Sequence, residues 1–199
     1  MINIVKDFME NVDFAIQVYN LAKYAQYILI FKTTNYCWFK CPHCCENSGP
    51  HNEKTYIPEE NIINFLDQAR QDPLFANNVV FTGGEIFSSY KFGNQDYVPN
   101  LLNYSLKNNI GTDIKTNGAW ANTSFGQNIF KDLKDIATNT MHKNKMPLLQ
   151  ISLSLDKYHK NCFENNMKII QELSGFPIII HVSCLTGQEA MLEQFEYQV

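Results

Sequence analysis

Between residues 26 and 199, apolar β-rich runs alternate with amphipathic helical runs, and that alternation leaves few folds open. The strand runs are QYILIFKTT (26–34), NVVFT (78–82), GTDIKT (111–116), LQISLSL (149–155) and PIIIHVSCL (177–185). Helical runs lie between them. Pro58 and two acids open one in which Ile62, Leu66 and Ala69 share a face; others fall near 96–109, 123–140 and 160–174, and a short one ends the chain. Strand–helix–strand repeats bury their apolar faces as βαβ units around a parallel sheet. The first run is apolar without a helical period, which predicts a strand covered on both faces. The expected fold is α/β, an open partial barrel with mostly parallel strands and helices outside. Residues 1–24 precede it as an amphipathic helix, with Val5, Phe8, Val12, Ala15, Ile16 and Tyr19 on one face, and 25–199 form the core domain.

Composition narrows the function classes. With 199 residues, 45% of them hydrophobic, the chain has enough apolar material for one substantial core. Its 16 basic and 20 acidic residues leave a net charge of -4, and no basic run follows a phosphate backbone, so no nucleic-acid duplex is expected as partner. Asp7, Glu10 and Asp13 interrupt the N-terminal stretch, so it does not read as a secretory signal. No stretch approaches the roughly 18 apolar residues of a membrane span. A cytoplasmic protein is expected, and in a reducing compartment crowded cysteines point to metal rather than disulfides.

The unusual residues collect at the carboxyl ends of the strands. A cysteine loop follows the first, Thr-Gly-Gly-Glu (82–85) the second and Thr-Asn-Gly (116–118) the third; Ser-Leu-Asp-Lys-Tyr-His (154–159) closes the fourth, and Cys184 lies near the end of the fifth. Parallel α/β sheets bind ligands at that rim. Motifs far apart in sequence are therefore expected in one site.

The loop TTNYCWFKCPHCCENSGP (33–50) holds four of the six cysteines. Cys37, Cys41 and Cys44 have the spacing C-x3-C-x2-C, which offers three thiolates from one tight loop and leaves a fourth coordination direction open. A zinc site through the same cysteines with His43 or Cys45 is the structural alternative, although structural zinc usually takes two separated pairs. Gly83 and Gly84 let backbones approach closely, and Glu85 is an acceptor for an ammonium group. Asn117 and Gly118 suit a turn as well as a ligand. Ser154 and Asp156 project from the fourth strand end; Lys157 and His159 read as outer loop residues. Cys45, Cys162 and Cys184 stay unassigned, since an isolated buried cysteine is usually a small hydrophobe.

On the cysteine spacing and the downstream Gly-Gly-Glu, the chain resembles the radical S-adenosylmethionine (SAM) enzymes, whose signature is C-x3-C-x-Φ-C with an aromatic Φ, here His43. The resemblance implies a 4Fe-4S cluster on Cys37, Cys41 and Cys44, with SAM completing the fourth iron. It implies that Gly83, Gly84 and Glu85 hold the amino group of SAM, and that Asn117, Ser154 and Asp156 contact the cofactor. Here isoleucine follows Gly-Gly-Glu where the family commonly has proline, and no adenine contact carries over from 181–189. The implied activity is reductive cleavage of SAM to a 5'-deoxyadenosyl radical that abstracts hydrogen from a substrate. A flavodoxin- or ferredoxin-like donor would supply the electron. A small molecule or nucleoside is the leading expectation for the substrate, a peptide or protein the alternative, and a non-catalytic metal-binding module the rival from another class. Family barrels usually have six strands against five here, so the barrel is expected to be abbreviated or to continue past Val199.

Overall fold

The structure, a computed structural model, describes residues 26–140, 147–159, 161–185 and 187–196. The helix expected over 1–24 lies outside the described residues.

Five strands, β1 (Tyr27–Thr34), β2 (Phe75–Gly83), β3 (Gly111–Thr116), β4 (Leu149–Ser154) and β5 (Ile178–Ser183), pair in chain order. All four pairings are parallel. Ile30, Val80, Asp113, Gln150 and Ile179 lie side by side across the sheet. The connecting helices are α1 (Glu59–Ala69), α2 (Ser88–Lys91), α3 (Tyr97–Lys107), α4 (Gly126–Asn139), α5 (Cys162–Leu173) and α6 (Glu189–Glu196). This is the expected open α/β sheet, laid out as a partial barrel.

The helices follow from their apolar spacing. In α4, Ile129, Phe130, Leu133, Ile136 and Ala137 recur at three- and four-residue steps and are buried, while α1 buries Ile62, Leu66 and Ala69. Glu59 and Glu60 occupy the first turn of α1, where acids complement the exposed N–H groups. Opposite these helices, Phe81, Ile114, Ile151 and Leu153 are fully buried on the outer face of the sheet. Truncating any of these four to alanine would cost about 2–5 kcal/mol.

Two expectations need correction. β1 is not covered on both faces: Ile28 is 46% and Ile30 63% exposed, whereas Leu29 and Phe31 pack into the core. Among the described residues the helices cover one face of the sheet, and Ile30 lies on the other beside Val80, Asp113 and Gln150, none of which is buried. The helix expected from 123 begins at Gly126, after a separate 3-10 turn over Ala119–Asn122. Gly118, in the left-handed region at φ 72°, turns the chain into that 3-10 segment.

Candidate functional site

The cysteine loop is held between two pieces of backbone. On one side the chain returns after the cysteines, so that Gly49 N–H donates to Asn35 and Cys37 N–H to Gly49. On the other side the end of β2 lies against residues 34–36: Gly84 N–H donates to Thr34 O at 2.7 Å and Glu85 N–H to Tyr36 O at 2.8 Å. That contact explains both glycines. A Cβ on Gly83 would stand 2.5 Å from Thr34 O, and one on Gly84 1.8 Å from Tyr36 O. Gly83 also has φ 119°, a conformation that side chains rarely adopt. The close approach read from Gly-Gly is thus, in this fold, an approach to the cysteine loop itself.

A cavity of ≈ 210 Å³ opens at this rim of the sheet. Cys37, Cys41, His43, Cys44, Gly83, Gly84, Asn117 and Ser154 all contribute to its wall, so eight of the residues singled out from sequence come together. Cys45 is exposed and also lines it, so sequence spacing rather than position sets that thiol apart. Asn117 Nδ2 lies 3.4 Å from Cys37 Sγ, tying the end of β3 to the first cysteine. His43 packs its ring on Tyr158 at 4.9 Å.

Glu85 and Asp156 lie behind the wall. Glu85 is wholly buried; its carboxylate accepts from Thr116 Oγ1, from Asn117 N–H at 3.0 Å and from Phe87 N–H at 3.3 Å. The Thr116 hydroxyl has its own lone pairs engaged by Trp120 Nε1 and Gly118 N–H, so its proton is free for Glu85. Burial pushes the Glu85 carboxyl up to about 7 against the pull of these donors. Asp156 accepts from Tyr158 N–H and from His159 Nδ1 at 2.7 Å.

His159 is the residue that the sequence pattern places too far out. It lines the cavity with Nε2 3.3 Å from Cys41 Sγ, and its side chain is only 11% exposed. The signal lay in the Asp-x-x-His spacing, which lets one turn fold the imidazole onto the carboxylate. Lys115 and Ser48 are further wall residues without a sequence signal.

The donor set fits a cluster. Cys37, Cys41 and Cys44 are free thiols on one wall. Among the described residues no three His, Cys, Asp or Glu converge on a single ion; a cubane asks for no such convergence, because each thiolate meets a different iron. Burial, then the negative charge of Glu85, pushes Cys37 up to about 12, and burial, then Asp156, pushes Cys41 up to about 11. Metal binding would displace both protons.

Neither a protein-family model nor a curated protein matches the chain. Solved structures do resemble it. Streptococcus suis SuiB bound to the precursor peptide SuiA is 19% identical at a TM-score of 0.54, over 86% of this chain and 37% of SuiB. AnSMEcpe with bound AdoMet (SAM) is 17% identical at a TM-score of 0.56, over 86% of this chain and 47% of the other. The chain spans less than half the length of these solved structures. The fold described here is the one that these two structures share.

Proposed function

We propose that the chain is a radical SAM enzyme in which Cys37, Cys41 and Cys44 hold a 4Fe-4S cluster and the adjoining cavity admits SAM. The observation that carries this reading is the meeting of the three cysteines with Gly83, Gly84 and Asn117 around one cavity at the strand ends. When bound, the cluster supplies the electron that splits SAM reductively. The chain's own residues do the rest. Asn117 steadies the Cys37 sulfur, and His159, held by Asp156, packs beside Cys41. Glu85 sets a carboxylate behind the wall formed by Gly84 and Asn117, where low dielectric strengthens its attraction for the ammonium of SAM.

For the substrate, a peptide is favoured over a small molecule or nucleoside. The support is the likeness to SuiB, which was solved with a precursor peptide. A flavodoxin- or ferredoxin-like protein would be the electron donor and the cytoplasm the location. No helix among the described residues is long and apolar enough to cross a membrane.

The test is anaerobic reconstitution with iron and sulfide, then SAM and dithionite, with 5'-deoxyadenosine measured by mass spectrometry. Formation of 5'-deoxyadenosine that depends on Cys41 supports the reading. A reconstituted protein that neither binds nor cleaves SAM overturns it and leaves the metal-binding module.

A further inference from the structure

Ser48 is a wall residue of the cysteine cavity, and it is 3% exposed. Its hydroxyl is buried and has no hydrogen-bond partner among the described residues. The position is built rather than incidental. Asn47 takes a left-handed conformation at φ 49°, with its N–H donating to Cys44 O and its carbonyl accepting from Asn52 Nδ2. On the other side Gly49 is tied to Asn35 and Cys37. Ser48 is fixed between these two anchors, three residues from Cys45 and four from Cys44.

A buried hydroxyl without a partner costs free energy that alanine would not. Ser48 stands in the wall of a ligand cavity, and a hydroxyl held by no bond can turn about its one side-chain torsion into that cavity, where the ligand supplies the missing partner. We infer that Ser48 donates a hydrogen bond to an acceptor atom of whatever fills this cavity. On the functional reading above, which this inference rests on, that atom is a sulfur of the cluster or an oxygen of SAM. A bond to cluster sulfur stabilises the more negative, reduced state and raises the reduction potential. One to SAM leaves the potential alone and tightens SAM.

The experiment compares the parent with Ser48→Ala, and with Ser89→Ala and Ser105→Ala as controls. Those two serines are also buried and unpartnered but stand in α2 and α3, away from the cavity wall. Three quantities are read: the melting temperature of the cluster-free protein, the midpoint potential of the reconstituted protein without SAM, and the SAM dissociation constant at matched iron content. Ser48→Ala is expected to leave the cluster-free melting temperature unchanged or higher, as the controls do, and to alter one of the other two quantities, which the controls leave alone. A more negative midpoint with unchanged SAM affinity assigns the acceptor to cluster sulfur. A SAM dissociation constant weakened about five- to tenfold at constant midpoint assigns it to SAM. Unchanged midpoint and unchanged SAM affinity in a fully loaded Ser48→Ala protein overturn the Ser48 inference while leaving the functional reading standing. A parent that takes up no cluster removes both.

Discussion

Glu85 makes a pH dependence of stability that can be worked out in advance. Its carboxyl is raised from 4.5 to about 7 by burial. The folded chain therefore holds this proton more tightly than the unfolded chain does. The stability contributed is fully present below about pH 4.5 and is lost as pH rises through about 7. A tenfold gain in proton affinity is worth roughly 1.4 kcal/mol, so the whole window amounts to about 3 kcal/mol. Glu85→Gln removes the titration but not the side chain. Its amide NH₂ must face one of the donors now shared by the two oxygens, Thr116 Oγ1, Phe87 N–H or Asn117 N–H, at a cost of about 1–3 kcal/mol at every pH. The variant should be less stable than the parent at pH 4.5, and by pH 8 the difference should have shifted by about 3 kcal/mol in the variant's favour, closing or reversing the gap. Urea unfolding of the cluster-free, reduced proteins at half-unit pH steps measures it. A stability difference that stays constant from pH 4.5 to 8 would refute the argument. If Glu85 also attracts the SAM ammonium, SAM favours its ionised form, and binding at pH 6 should release a proton. Calorimetry in two buffers of different ionisation enthalpy would detect that release.

Other outcomes follow from the same geometry. Gly84→Ala should lose at least about 2–3 kcal/mol, read by thermal unfolding, because its new Cβ meets the Tyr36 backbone rather than a side chain that could move. Cys41→Ala should abolish the 4Fe-4S absorbance and iron content, whereas Cys45→Ala should keep both near parent levels; equal loss would show the ligand set to be wrong. In the cluster-free protein, iodoacetamide should label exposed Cys45 well before Cys37, which is 8% exposed and pushed up to about 12. Peptide mapping after short exposures would show the order.

The fold was legible because the period of the apolar residues changes from strand to helix five times, and nothing but a parallel layered sheet satisfies that. The rim site was legible for a related reason: in such a sheet, strand ends converge whatever their separation in sequence. Side-chain direction was not. Glu85 and Asp156 sit at the expected strand ends yet point behind the wall, onto Thr116 and Asn117 in one case and His159 in the other. Nothing in their identities separates a carboxylate facing a ligand from one that pins a neighbouring loop. The exposure of Ile28 and Ile30 is invisible in the sequence for another reason, since an apolar run looks the same whether one face of its strand is covered or both.

The role of Gly-Gly-Glu changes the weight of the case against an inert metal module. From sequence, the motif argues for catalysis because a structural zinc site has no use for an ammonium acceptor. In the structure each member has work to do without any ligand. Gly83 and Gly84 admit the backbone of residues 34–36, and Glu85 clamps Thr116 and Asn117 to the end of β2. A chain that had lost SAM chemistry would still need all three to keep its cysteine loop in place. The motif therefore supports the fold and the catalytic reading alike, and the choice between enzyme and module moves to whether a cluster held by the three cysteines would take a fourth ligand. Only a fourth ligand distinguishes them: SAM bound to the loaded protein should change the electron paramagnetic resonance spectrum of the reduced cluster. A spectrum that is indifferent to saturating SAM would place the chain with the modules.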